Sequence, residues 1–360
     1  MSIEELNSIR TKIDAVDSQI EELICQRGEL AKEVGRIKHK SAEKEINFYR
    51  PEREAQVMRK VCEKNKGPID DKHMMTIFRA IMTACLDLEQ HLKVAYLGPE
   101  GTFTQVAAYQ HFGRDINVIP FSSTKRVLHE TEMKSANFAV LPIENSIVGM
   151  MNTTLDALLN TNLKICGEVI LPIHYHLLGA NEGGIDSIKK VYGHELAFQQ
   201  CNQWLAQHLP QANKISLEST SMAAKLALDE PDASALGGDL TAETYSLKIL
   251  ASQIEGSAHN ETRFIVLGQQ SVGPSGKDKT SLLISAPYQP RFLAELFNYF
   301  SEKNVNICQF TSRPYHEKKG YYWFYIDIEG HQNEKPIADV LELLANKTIP
   351  INVLGSYPRL

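Results

Sequence analysis

The stretch ICQRGELAKEVGRIK, residues 24–38, decides how the N-terminal quarter of the chain is read. Stepping by three and four residues through the first forty positions collects Leu6, Ile9, Ile13, Val16, Ile20, Leu23, Arg27, Leu30, Val34 and Ile37. Such a sustained heptad seam predicts one long amphipathic helix, and Arg27 is the charge interrupting it. A second helix is expected to open at Pro51 and a third after Asp70, since proline suits a first helical position and aspartate an N-cap. In the third, Phe78, Met82, Cys85, Glu89 and Leu92 form another seam, again interrupted by one charge, Glu89. A helix of about 38 residues spans about 57 Å and cannot bury its seam against two shorter ones alone. An all-α, dimer-forming domain is therefore expected over residues 1–92.

Outside this region the composition excludes several classes. The chain has 360 residues and a formal net charge of −6, with both signs mixed along it. That length suits two or three domains, and the balance lacks the basic field a nucleic-acid partner requires. MSIEELNSIR carries no apolar signal-peptide segment, and no window approaches the roughly 18 apolar residues of a membrane span. A cytoplasmic protein without membrane partners is expected. Cys25, Cys62, Cys85, Cys166, Cys201 and Cys308 are scattered with no CxxC pair, which gives neither a zinc site nor a disulfide framework.

From Lys93 short apolar runs alternate with helical stretches: KVAYLG then TFTQVAAYQHF, INVIPF then STKRVLHETEMK, FAVLPIEN then MNTTLDALLN, and later the strand TRFIVLGQ. This alternation predicts a two-lobed α/β domain over residues 93–269 with a cleft between the lobes. QSVGPSGKDK (270–279) reads as a linker. Residues 280–360 then run βαββαβ, the ferredoxin-like α+β plan.

Burying Arg27 or Glu89 unpaired would cost several kcal/mol, so each needs a partner, either the other or a ligand. Arg10, Lys38, Arg53 and Glu54 also lie at edges of apolar helical faces. Lys38 is about three turns from Arg27, on nearly the same face and about 16 Å away. Cations exceeding acids in a helical core suggest an organic polyanion, with arginine forks gripping carboxylates. In the α/β region, GPEGTF (98–103) and STS (219–221) open helices with backbone N–H groups and hydroxyls, among them those of Thr102 and Thr104, that suit carboxylates. VLPIENSIVG ends a strand with Glu144, Asn145 and Ser146, and HNETRFIVLG (259–268) sets Thr262 and Arg263 at a strand mouth. His174 and His176 in HYH are read as one face of a strand and lack an acidic third ligand, so no metal is assigned.

Arg10, Arg27, Lys38 and the Arg53–Glu54 pair match the motif of the all-helical chorismate mutases. GPEGTF, PIENS, FQQC, ESTS and TRF occur in the order and approximate spacing of the prephenate dehydratases. The βαββαβ segment with TSRP (311–314) resembles an ACT domain. Over nearly its full length the chain therefore resembles the bifunctional chorismate mutase/prephenate dehydratases, whose α/β domain is periplasmic-binding-protein-like. The resemblance implies rearrangement of chorismate to prephenate, then loss of CO2 and water to give phenylpyruvate, in phenylalanine biosynthesis and without a cofactor.

It also implies roles. Arg10, arriving from a partner subunit, and Arg27 would bind the substrate carboxylates, Lys38 the ether oxygen and Glu54 a ring hydroxyl, while Arg53 would shape the pocket. Thr262 would be the proton donor of the dehydratase, with Asn145 and Gln200 on substrate, Glu144 supporting them and Arg263 on a carboxylate. Ser312, Arg313 and Pro314 match the family's phenylalanine-binding run. Three departures stand out. Glu89 replaces a glutamine common in relatives, and an ionised carboxylate accepts hydrogen bonds but cannot donate one. Gly193 stands where some relatives have a serine. Arg291, Phe292, Leu293 and Ala294 replace a Gly-Ala-Leu-Val run, which predicts an altered pocket for a phenylalanine effector. A homodimer or a dimer of dimers is expected. Two alternatives remain open at this point: a dehydratase with a merely dimerising helical arm, and a two-lobed binding module without catalysis.

Overall fold

A computed structural model describes residues 3–40, 47, 49–180, 184–256, 259–287, 289–315, 320–347 and 349–359. Two compact units result: the helices of residues 1–92 together with residues 113–117, and the remainder of the chain.

In the first unit α1 (Ile3–Lys40), α2 (Pro51–Lys64) and α3 (Asp71–Glu89) fall where the periodicity places them. Pro51 opens α2, and the Asp70 carboxylate caps α3 by accepting from the His73 N–H at 2.8 Å. The C-terminal half of α1 lies against α3. A Cβ at Gly35 would sit 3.3 Å from the Glu89 Cα, so the missing side chain is what permits this approach. The apolar seam of α1 is otherwise uncovered: Leu6, Ile9, Ile13, Val16, Ile20, Leu23, Leu30, Val34 and Ile37 are all exposed.

The second unit begins with β1 (Lys93–Leu97), α4 (Phe103–Phe112), β2 (Asn117–Phe121), α5 (Thr124–Glu132), β3 (Phe138–Asn145), β4 (Gly149–Met150), α6 (Asn152–Leu158) and β5 (Lys164–Pro172). The chain crosses to a second lobe of β6 (His176–Gly179), β7 (Lys190–His194), α7 (Glu195–His208), β8 (Asn213–Leu217), α8 (Thr220–Asp229), β9 (Ala233–Gly237), α9 (Asp239–Tyr245) and β10 (Lys248–Ala251). It then returns as β11 (Glu261–Gly268). The first lobe's sheet runs β2-β1-β3-β11-β5, with β4 paired to β3, and the second runs β10-β6-β9-β7-β8. β11 is the last strand of this pair of lobes yet lies between β3 and β5, so its start stands at the crossing. HYH is not one strand: β5 ends at Pro172 and β6 starts at His176, so His174 and Tyr175 belong to the crossing.

The C-terminal segment comprises β12 (Asp278–Pro287), α10 (Pro290–Glu302), β13 (Ile307–Pro314), β14 (Tyr321–Glu329), α11 (Lys335–Asn346) and β15 (Ile351–Pro358), in a sheet ordered β13-β14-β12-β15. Both faces of this sheet are covered. Leu282, Ile284, Phe324 and Ile326 pack with residues of α10 and α11, such as Leu296, Phe300, Val340 and Leu344. Leu283, Tyr325, Leu354 and Tyr357 share a core with Leu141, Ile143 and Ile165 of the first lobe. A strand buried on both faces reads as an unbroken apolar run, which accounts for SLLISAP and YYWFYIDI.

The segment expected to be a linker is built into this packing. Val272 is buried, Ser275 and Gly276 donate backbone N–H groups to Asp278 Oδ2 at 2.8 and 3.0 Å, and Asp278 and Lys279 already belong to β12.

Candidate active sites

On the helical unit Lys38 Nζ donates to Glu89 Oε2 at 2.7 Å, and Arg27 Nη1 donates to the Ile81 carbonyl at 3.4 Å. The two charges that interrupt the seams thus both lie at the α1–α3 contact, but each has its own partner instead of pairing with the other. Glu54 on α2 lies 3.8 Å from Arg79, and burial pushes its carboxyl above the ordinary value despite the pull of Arg79 and a hydrogen bond from Tyr49. Arg79 lies inside the apolar run TIFRAIMT, and that lone charge is the sequence signal for it. Arg53 is exposed on the same helix. Arg10 is exposed and lies about 26 Å up α1 from Arg27, at about 1.5 Å per residue, so one chain does not bring the two together.

In the α/β unit, β11 pairs with β3 so that Thr262 lies opposite Asn145 and Arg263 opposite Glu144. Successive strand residues face opposite sides, which divides the TRF motif. On one side Asn145 Nδ2 donates to Thr262 Oγ1 at 2.9 Å and to Asn260 Oδ1 at 3.2 Å. Asn260 Nδ2 donates to Gln200 Oε1 on α7 at 2.6 Å. Asn145, Asn260, Thr262 and Gln200 are all buried, and they come from both lobes and the crossing between them. Among the described residues nothing accepts the Thr262 hydroxyl proton, and Gln200 Nε2 is buried without a partner.

On the other side Arg263 Nε donates to Glu168 at 2.7 Å, Nη1 to Asp327 at 2.5 Å and Nη2 to the Tyr357 hydroxyl at 2.8 Å. Lys279 Nζ reaches both oxygens of Glu168, at 2.9 and 2.7 Å. Two buried cations and two buried anions thus meet between the first lobe and the C-terminal sheet, with the half-buried Glu144 carboxylate 3.9 Å from Arg263 Nη1, and each buried charge has an opposite partner. Burial alone would lower the Arg263 pKa, but Tyr357, Tyr325, Asp327 and Glu168 raise it well above the ordinary value. The carboxylate-binding role expected of Arg263 does not match this placement, because its donors serve the cluster. Glu144, on the same side, accepts from Gln309 Nε2 of β13 at 2.9 Å.

The expected anion cradles are likewise largely filled from within. Gly101 N–H donates to Gln105 Oε1 at 2.7 Å, Ser219 caps α8 by accepting from the Met222 N–H at 3.1 Å, and Ser221 donates to the Glu100 carbonyl at 2.5 Å. At Gly193 a Cβ would lie 3.1 Å from Leu236 Cδ1, so a serine there would require its neighbours to give. His174 pairs with Glu255 at 2.8 Å. In the C-terminal segment Arg313 donates to the Asn152 carbonyl at 3.0 Å and to Asp156 at 2.6 Å, beside a pocket of about 180 Å³ lined by Leu155, Asp156, Thr311, Pro314 and Trp323 among others. Ser312 and Pro314 are exposed. Arg291 is exposed and pairs with Glu295 at 2.8 Å, while the Phe292 ring sits 5.7 Å from that of Phe324 in the C-terminal core.

A helical unit with cations at its α1–α3 contact, followed by a two-lobed unit with a buried hydroxyl and amides at its crossing, defines a chain that joins two enzymes. Residues 9–90 match the family model for chorismate mutase type II, and residues 94–272 that for prephenate dehydratase. Similar full-length relatives are the bifunctional chorismate mutase/prephenate dehydratases of Stutzerimonas stutzeri, 42% identical over 99% of this chain and 98% of that one, and of Escherichia coli K12, 30% identical over 98% and 96%. Among solved structures, prephenate dehydratase in complex with L-Phe from Arthrobacter aurescens is 32% identical, with a TM-score of 0.69 over 74% of this chain and 90% of that one. The chain belongs to the bifunctional chorismate mutase/prephenate dehydratase family. It rearranges chorismate to prephenate and converts prephenate to phenylpyruvate, in phenylalanine biosynthesis.

Proposed function

We propose that prephenate is dehydrated at Thr262 and chorismate rearranged at the α1–α3 contact. The dehydratase assignment is carried by one observation: Thr262 Oγ1 accepts from Asn145 while its own proton is uncommitted among the described residues. Thr262 relays a proton: its hydroxyl proton goes to the departing ring hydroxyl, which leaves as water, and a proton taken up from solvent restores the Thr262 hydroxyl. The C–C bond to the ring carboxylate breaks to release CO2, and its electron pair completes the aromatic ring. Asn145 Nδ2 stabilises the negative charge that grows on Oγ1 as the proton leaves. Gln200 Nε2 is the donor left to orient the substrate, and Glu144 is a support behind Asn145. We assign Arg263 to the buried cluster and not to a substrate carboxylate.

For the mutase, Arg27 and Lys38 grip the substrate, Glu89 and Glu54 complete the polar lining, and Arg53 borders it. Arg10 comes from a second copy of the chain, because the uncovered α1 seam supports a homodimer in which that seam is buried. No helix of the described residues is long and apolar enough to cross a membrane, and we take the chain to work in the cytoplasm. We read the C-terminal segment as an ACT domain with phenylalanine as its effector, on its βαββαβ order, the Ser312–Arg313–Pro314 match and the L-Phe complex of the Arthrobacter relative.

The test supplies chorismate to Thr262→Ala and Thr262→Ser. Thr262→Ala should turn chorismate into prephenate at the normal rate and slow phenylpyruvate formation by about 10³-fold, with Thr262→Ser retaining much of it. Normal phenylpyruvate formation by Thr262→Ala would remove Thr262 from the mechanism.

A further inference from the structure

Asn260 lies between the lobes, two residues before Thr262, and is buried at 4% exposure. We infer that Asn260 is a positioning residue for the dehydratase reaction, fixing the Gln200 amide so that its N–H2 is left for substrate. The inference rests on the placing of prephenate at Thr262 and Gln200.

Amide polarity sets the arrangement. Asn145 Oδ1 accepts from the backbone N–H groups of Ile147 and Val148 at 3.0 and 3.2 Å, so backbone donors fix which end of that amide is oxygen. Its Nδ2 must then face Thr262, Asn260 and the Glu261 carbonyl, the last at 3.1 Å. Asn260 Nδ2 is fixed in the same way from the other side, by the Ile173 carbonyl at 3.1 Å. The second Asn260 N–H points at Gln200 and demands an oxygen there, and Gln200 Oε1 supplies it at 2.6 Å. Inverting the Asn260 amide would set Oδ1 against the Ile173 oxygen and N–H2 against the N–H2 of Asn145, two repulsive contacts.

Backbone polarity in the first lobe and at the crossing is thereby relayed to a side chain of the second lobe. What remains at the end of the relay is Gln200 Nε2, buried and unpartnered among the described residues. A buried N–H2 without an acceptor is costly, and a substrate oxygen at that point relieves the cost only when substrate is bound.

The experiment measures prephenate turnover and, separately, chorismate turnover in the full chain for Asn260→Ala, Asn260→Asp, Gln200→Ala, Thr262→Ala and the Asn260→Ala/Gln200→Ala double variant. Asn260→Ala and Asn260→Asp should each lower the dehydratase kcat by about 100-fold, as misplacement of a reacting geometry does. Chorismate turnover should be unchanged, which controls for folding. In the Gln200→Ala background the same Asn260→Ala change should cost only about threefold, because the two residues act as one unit. Losses that multiply independently, or Asn260 variants at wild-type kcat while Gln200→Ala and Thr262→Ala are impaired, would overturn this inference alone. Wild-type activity in Gln200→Ala and Thr262→Ala would overturn the site assignment and this inference with it.

Discussion

The charges of α1 and those around β11 are handled in opposite ways. On α1, Arg10 is exposed, Arg27 holds a single long contact to a carbonyl, and the apolar seam between and beyond them faces outward. Around β11, Arg263, Glu168, Lys279 and Asp327 are buried and mutually satisfied within one chain. A helical seam places functional charges along one stripe and leaves them to be covered. A strand sends neighbouring residues to opposite faces, so one motif has two settings: Thr262 meets the buried amide of Asn145, and Arg263 joins the C-terminal sheet to the lobe. On this account the mutase site is completed by a second chain, and the dehydratase site is complete in one.

The largest effect should come from opening the closed side of that contrast. Asp327→Ala takes away one of the two buried anions that face Arg263 and Lys279 and should destabilise the α/β unit by roughly 3–5 kcal/mol, read as an earlier urea transition. An unchanged transition would mean that the cluster is not what ties the C-terminal sheet to the first lobe. A smaller effect sharpens the open side. Glu89→Gln replaces the carboxylate that holds Lys38 with a neutral amide, which accepts from Lys38 without an ionic partner's pull and can also donate to substrate. KM for chorismate should fall several-fold, read from initial rates of prephenate formation. A KM equal to that of the wild type would take Glu89 out of the substrate site.

Much of this was legible in the sequence, and for definable reasons. The long seam, Pro51 and Asp70 marked the three helices, because helical periodicity and end signals are local. The βαββαβ order was equally open to reading. The buried partners of Arg263 were not legible in TRF as a motif: Thr262 and Arg263 are adjacent in a strand and diverge, and Arg263 meets Glu168 and Asp327, which are far away in sequence. The logic that singled out Arg27, a charge within an apolar run, would also have found Glu168 in GEVILP and Asp327 in YYWFYIDIE. Asn260 stands two residues before Thr262, the spacing that shares a strand face, and that was the signal available for it. The linker reading failed because Gly and Ser also build tight, packed connections, and composition does not record which backbone groups are satisfied.

The most direct measurement mixes two inactive chains. Arg10→Ala and Arg27→Ala, each lacking mutase activity, are unfolded and refolded together, alongside a parallel mixture of Thr262→Ala and Gln200→Ala. If Arg10 completes the site of a partner, random pairing restores one intact mutase site in each heterodimer and about one quarter of wild-type activity, while the dehydratase mixture regains nothing. Mutase activity that stays at the level of the separate variants, or a dehydratase restored by mixing, would contradict the account.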